Sequence, residues 1–331
     1  MKRELLKVDE EKVLKYTVLI YTQKGESVSS ETLIKNYPEE INFSSAKVRY
    51  IMTNLEKKDF LTKPHFSSGR IPTPKGLNYY ANYLSITYEL KFLTQLNAKL
   101  SRKNDDIDLT VEQAVKVITE MTDFTIVTKS SVKLKNIQLV PLDETKVTVV
   151  LVVSTGDVYS KIMNISQGIK LQDLRIAIRI FNERLLDIDL EQIPKFIYTL
   201  AEVLAQEVKN YQDVINSFIS QVFNEKLKIY MQNKVYGKNN LILKEEIDRK
   251  SLSEMLNLIE NFSVWEKLEE TADEQQNLKI SIDSSRTYMS KKIESKSNTT
   301  EISILSTSAT DYDKMKTALN VLEMILKKGK K

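Results

Sequence analysis

Apolar positions recur with a helical period through most of the chain. Val13, Tyr16, Thr17 and Ile20 share one face of a predicted helix over Glu10–Gln23, which Gly25 stops. Leu33, Ile34 and Tyr37 mark a short second helix that starts at Ser29 or Ser30 and ends at Pro38. Val48, Met52 and Leu55, with Ile51 beside them, form the stripe of a third helix. Ser44 or Ser45 supplies its N-cap, a hydroxyl that accepts from an orphan backbone N–H. The opposite face of that helix carries Lys47, Arg49, Tyr50, Thr53 and Asn54, side chains suited to phosphates or base edges. Phe60 and Leu61 then begin a short strand. Residues 64–70 make a tight polar loop with a basic tip. Ile71 opens a return strand that Pro72 and Pro74 confine to an edge. Helix, strand, basic loop, strand is the order of a winged helix.

Downstream, Tyr80, Leu84, Tyr88, Phe92 and Leu96 recur every four residues, and Tyr83, Ile86, Leu90 and Leu93 make a second stripe. Together they predict one long helix over Leu77–Leu100. The polar Ser101–Asp108 stretch reads as a boundary. Beyond it come a helix over Val111–Met121 and strands at Phe124–Val127 and Ile137–Val140. Lys146–Val153, a nearly continuous β-branched run, predicts a central buried strand. Ser154–Asp157 turns into a return strand over Val158–Ile165. From Leu171 to Trp265 the pattern is helical, with long helices expected at Phe196–Asn210, Val214–Met231 and Ser251–Glu269. Only Val235–Leu243 reads as a short strand or loop. Strands resume at Leu278–Ile282 and Glu301–Leu305, and Lys314–Lys328 is a last amphipathic helix. Strands, a helical interruption and strands again describe one α+β domain split by another.

Charge sharpens the picture. Between Phe43 and Gly76 seven basic and two acidic residues leave +5, whereas the whole 331-residue chain carries +4. The positive excess sits in this one segment and favours a polyphosphate partner. The chain has no cysteine, which excludes disulfides, thiolate metal sites and a cysteine nucleophile, and fits a reducing cytosol. His65 is the single histidine, and no nucleophile elbow, Gly-rich phosphate loop or dinucleotide fingerprint occurs. These features point away from an enzyme and from any cofactor or metal. The charged start MKRELLKVDEEK is unlike a signal peptide. The most apolar run, Val149–Val153, is far below the roughly 20 residues that span a bilayer.

The stretch SSAKVRYIMTNLEKKDFLTKPHFSSGRIPTPKGLNYY resembles the N-terminal signature of the HrcA family of bacterial heat-inducible transcription repressors. Its wing, Pro64-His65-x-Ser67-x-Gly69-Arg70-Ile71-Pro72-Thr73, is the most specific part of the match. Lys47 and Tyr50 stand where the family has Thr and Asn. The hairpin around Gly156 resembles a second family segment, with Ser154 at an Asp position, and Asp311-Tyr312 matches a C-terminal motif in part. The resemblance implies an α+β multidomain protein. Residues 1–76 would form a winged helix-turn-helix and 77–108 a linker helix and loop. Residues 109–185 and 274–331 would be the two parts of a GAF-like domain, interrupted at 186–273 by a mainly helical dimerising domain.

It also implies a cytoplasmic, nucleoid-associated repressor of chaperone operons. Such a protein would bind the CIRCE inverted repeat of double-stranded DNA as a homodimer, depend on the chaperonin GroEL for its active fold, and release on heat stress, with no membrane partner. The expected DNA contacts are Ser44, Ser45, Lys47, Arg49, Tyr50, Thr53, His65, Ser67, Ser68 and Arg70. Five of these carry two readings. Lys47 and Arg49 either contact DNA or are simply solvated helix residues. Tyr50 either contacts DNA or packs on a neighbouring helix. His65 either orients the loop or meets a phosphate. Arg70 either reaches the minor groove or backbone, or forms a salt bridge that braces the wing. A regulator whose GAF-like domain senses a small molecule is the alternative function.

Overall fold

A computed structural model describes residues 6–65, 69–101, 111–223, 233–268, 277–294 and 299–328. The protein is α+β and divides into two compact units. The first comprises 1–128, 233–293 and 301–331, and the second 129–232 and 294–300.

The first unit begins with three helices: α1 (Val8–Lys24), α2 (Ser30–Asn36) and α3 (Ser45–Lys57). Gly25 ends α1 in the left-handed conformation at φ 70°, the role expected of it. Ser29 caps α2 and Ser44 caps α3, each hydroxyl accepting a backbone N–H from the first turn. Val48, Ile51, Met52 and Leu55 are all buried and lock α3 against Val13, Leu14, Val18 and Leu33. An antiparallel hairpin follows, β1 (Leu61–Thr62) with β2 (Ile71–Pro72). An extra backbone bridge, Val28 with Arg70, ties its return arm to the segment before α2. That approach needs Gly69, because a Cβ there would lie 2.5 Å from the Val28 carbonyl carbon.

The expected single helix over Leu77–Leu100 is instead broken. α4 (Pro74–Tyr79) runs into a π-helical turn at Tyr80–Leu84, and α5 (Glu89–Ser101) starts afresh. Ser85 is extended, and its hydroxyl donates back to the Ala81 carbonyl. The freed N–H groups of Ile86 and Tyr88 find side-chain acceptors, the Asp313 carboxylate and the Thr317 hydroxyl. Sequence-distant oxygens thus replace the helical carbonyls, and no local pattern reports that.

α6 (Val111–Thr122) leads to a five-stranded sheet in the order β7-β3-β10-β9-β8. These strands are β3 (Thr125–Ser130), β7 (Lys234–Tyr236), β8 (Leu278–Ile282), β9 (Arg286–Glu294) and β10 (Thr299–Thr307). β9 was not among the expected strands. Its alternation is masked by the polar residues Thr287 and Ser290, which the sheet buries. The C-terminal helix Tyr312–Lys328 packs Met315, Leu319 and Leu322 into the same core as α1 and α3.

The second unit holds β4 (Leu134–Pro141), β5 (Lys146–Val153) and β6 (Val158–Asn164), an antiparallel three-stranded sheet in that order. β5 is central but buries only alternate residues, Val147, Val149, Leu151 and Val153. These pack with Leu174 and Phe181 of α7 (Leu171–Arg184) and with Phe218. The second unit therefore differs from the expected 186–273 insert: it includes the hairpin sheet and lacks the stretch after Gln232. The cause is this shared core, because β4–β6 bury their apolar face on the helices that follow them. Phe196–Asn210 is two short helices, α8 (Ile193–Thr199) and α9 (Ala201–Glu207). Of the long helix expected over Val214–Met231, the described part is a short helix, Tyr211–Ser217, and a π-turn to Val222; residues 224–231 lie outside the described residues.

Candidate nucleic-acid interface

The outward face of α3 follows from its buried one. With Val48, Ile51, Met52 and Leu55 turned inward, the 3.6-residue period leaves Lys47, Arg49 and Tyr50 exposed. Tyr50 is 67% exposed, so among its two expected readings it does not pack on a neighbouring helix. Lys47 Nζ lies 2.9 Å from Asp9 of α1 and 4.0 Å from the centre of the Phe43 ring. Arg49 donates from Nη2 to Glu31 Oε1 of α2 at 3.0 Å. The same carboxylate oxygen accepts the Ser45 hydroxyl at 2.9 Å, and Ser45 Oγ is 3.0 Å from Ser30 Oγ. The backbone N–H of Glu31 and the hydroxyls of Ser45, Ser29 and Ser30 hold the Glu31 carboxyl down to about 2, so it is ionised throughout the physiological range.

Ser44 is occupied as the N-cap, accepting from the Lys47 N–H at 3.2 Å. Thr53 is half-buried; its hydroxyl donates to the Arg49 carbonyl at 2.9 Å and accepts from Arg70. Arg70 is 8% exposed. Its Nε donates to Glu56 Oε2 at 3.1 Å and its Nη2 to Thr53 Oγ1 at 2.9 Å. Of its two readings the structure places the brace: the guanidinium pins the hairpin to α3. His65 is exposed near the hairpin tip, and Ser67 and Ser68 lie outside the described residues.

The segment after the hairpin also serves the fold. Thr73 caps α4 by accepting the Gly76 N–H, and its hydroxyl donates to the Asp59 carbonyl. Gly76 leaves room for the Phe60 carbonyl oxygen, which a Cβ would approach to 2.1 Å. Lys75 Nζ donates to the Lys58 carbonyl and sits 4.4 Å from the centre of the Phe60 ring. Lys58 in turn pairs with buried Glu10 at 2.8 Å. Burial alone would raise the Glu10 carboxyl, but the Lys58 ammonium and the Lys7 N–H hold it below the usual range.

Glu31, Asp9 and Glu56 were absent from the sequence-based set. Their partners stand fourteen or more residues away, as with Glu31 and Arg49, so spacing gives no signal. Among the described residues no group of three or more His, Asp or Glu is placed to hold a metal. No helix there is long and apolar enough to cross a membrane.

The model of the HrcA protein C-terminal domain family matches residues 108–323. The heat-inducible transcription repressor HrcA of Mycoplasma mobile is 38% identical over 328 residues, covering 97% of each chain. That of Mycoplasmopsis synoviae is 37% identical over 326 residues, covering 97% of this chain and 94% of the other. A crystal structure of a hypothetical protein overlays with a TM-score of 0.51 at 19% identity, covering 98% of this chain and all of that one, a likeness of fold. A family match over most of the chain, with relatives above 35% identity along nearly its full length, leaves one conclusion: the chain belongs to the HrcA family of heat-inducible transcription repressors.

Proposed function

We propose that α1–α3 and the β1–β2 hairpin form a winged helix whose α3 reads the major groove of an inverted-repeat operator, the CIRCE element. The observation that carries this is the exposed row Lys47, Arg49 and Tyr50 on a helix whose other face is fully locked in the core. Arg49 supplies the bidentate fork for guanine O6 and N7. Lys47, Ser45 and the hairpin tip with His65 meet phosphates. Ser44 and Thr53 hold the helix start and the Arg49 turn in place, and Arg70 braces the wing. The protein then acts as a repressor of chaperone operons in the cytoplasm.

The operator's symmetry asks for a symmetric dimer. In the second unit, the sheet face opposite the helices presents Val140, Val158 and Ile162, all exposed, which supports a homodimer through that unit. Dependence on GroEL closes the control loop: heat diverts the chaperonin to other clients, active repressor falls, and the operator empties.

Titrating labelled CIRCE duplex against a scrambled duplex, across a salt series, tests the reading. A preference for the repeat supports it, and equal, steeply salt-dependent binding to both refutes sequence reading. Refolding the chain with and without GroEL before the same titration tests the chaperonin arm, which requires higher operator occupancy with chaperonin present.

A second reading, a small-molecule sensor in a GAF-like five-stranded unit, draws on a cavity of about 740 Å³ lined by Leu258, Phe262, Arg286 and Tyr288. Arg286 is already paired with Asp283 and Glu254, so it serves the wall rather than a ligand. A ligand-dependent rise in melting temperature would favour this reading.

A further inference from the structure

A carboxylate repels phosphate, so Glu31 is not a contact to the DNA backbone. Yet it stands in the first turn of α2, beside the exposed face of α3. One oxygen, Oε1, takes both the Ser45 hydroxyl and the Arg49 Nη2. Ser30 extends this into a chain from α2 to α3, Ser30–Ser45–Glu31–Arg49. The contact is open to solvent, with the Arg49 side chain 66% and the Glu31 side chain 62% exposed. A pair so exposed does little for folding. Its effect falls on the arginine instead.

Two consequences follow for Arg49. Its guanidinium is tethered by Nη2, while Nε and Nη1 take no partner among the described residues. A long, rotamer-rich side chain is thereby held near one direction before any DNA arrives, which cuts the ordering cost of a directed contact. The neighbouring negative charge also opposes the approach of a phosphate to the same guanidinium. A guanine edge offers neutral acceptors, O6 and N7, and suffers much less of that repulsion. Repelling the wrong partner while presetting the right one is how specificity exceeds affinity.

We propose that Glu31 is a specificity-determining positioning residue: it presets Arg49 for a base edge and withholds it from indiscriminate phosphate contact. This rests on α3 being the DNA-reading helix, as proposed above.

The test uses the full-length chain with Glu31→Ala, Glu31→Gln, Arg49→Ala and the Glu31→Ala/Arg49→Ala double variant. A preferred duplex is first selected from a random pool with the wild type. Affinities for it and for a scrambled duplex are then measured at one fixed salt concentration. Thermal melting of each variant confirms folding. Glu31→Ala should tighten scrambled-duplex binding and lower the specificity ratio roughly tenfold, within what one bidentate pair supplies. Glu31→Gln keeps an acceptor oxygen for Arg49 but loses the charge. It should tighten scrambled-duplex binding while keeping more of the ratio than Glu31→Ala. In the Arg49→Ala background, removing Glu31 should leave the ratio unchanged.

An unchanged ratio in Glu31→Ala overturns the proposal, as does the same loss with and without Arg49. A wild type that selects no duplex at all overturns the reading of α3, and the proposal with it. A wild type that selects one while Glu31→Ala keeps the ratio overturns the positioning role alone.

Discussion

Arg49 and Arg70 each carry a guanidinium joined to a glutamate, yet their surroundings assign them opposite tasks. The Arg49 side chain is 66% exposed and its partner Glu31 62%, and only Nη2 is engaged among the described residues, so the rest of the guanidinium stays open to a ligand. The Arg70 side chain is 9% exposed, and it bonds both Glu56 and Thr53, so opening it would strand buried donors. The contrast extends to the segments around them. α3 shows Lys47, Arg49 and Tyr50 to solvent, whereas Arg70, Thr73 and Gly76 are spent on bracing, capping and close packing. Within the most recognisable motif of the chain, Arg70 and Thr73 thus serve the fold, and the proposed reading face lies on the helix before it.

Variants can break that comparison. Arg70→Ala should lower unfolding stability by about 2–3 kcal/mol in a urea titration, because two charge-assisted contacts go and Glu56 loses its partner. Arg49→Ala should stay within about 0.5 kcal/mol of wild type in the same titration. Equal losses would erase the distinction. Gly76→Ala should cost about 2 kcal/mol, since its Cβ collides with the Phe60 carbonyl and α4 must shift. Its folded fraction should keep any duplex preference the wild type has.

Asp313 sharpens the bracing side. Asp313→Ala strands the buried Tyr80 hydroxyl and should cost about 1–2 kcal/mol by thermal melting. Asp313→Asn keeps the accepting oxygen and should cost less. Burial raises the Asp313 carboxyl above its ordinary range, so the asparagine also removes a charge that the folded state disfavours at neutral pH. On the reading side, Lys47→Ala should weaken binding evenly across sequences and reduce the salt slope by about 1.

The smallest effect is a pH dependence. Glu10 is held below the ordinary carboxylate range in the folded state, so its contribution is present above about 4.3 and lost as pH falls through the lower folded value. Glu10→Gln should therefore flatten the acid limb of melting temperature against pH. An unchanged limb would show that the Glu10–Lys58 pair does not carry it.

Local pattern was enough for some of this architecture. The stripe of α3 was readable because Val48, Met52 and Leu55 have no other way to be buried together, and Ser44 caps where a serine before the stripe should. The bounds of β5 agree with its β-branched run, and those of β8 with the strand expected over Leu278–Ile282. What escaped the sequence depends on partners far along the chain. The break at Ser85 is made by Asp313 and Thr317. β9 buries polar residues because Ser290 has Ser303 opposite it. The β4–β6 hairpin joins the second unit because its core is completed by α7 and Phe218. In the candidate interface, exposure separated Arg49 from Arg70, and residue type alone did not.

The most direct measurement compares Arg49→Ala and Arg70→Ala for binding to the CIRCE duplex and a scrambled duplex, each at a temperature where the variant is fully folded. The account predicts that Arg49→Ala loses most of the preference for the repeat, about 1–3 kcal/mol, while folded Arg70→Ala retains it. Retention of the preference by Arg49→Ala, or its loss from folded Arg70→Ala alone, would contradict the assignment of α3 as the reading surface.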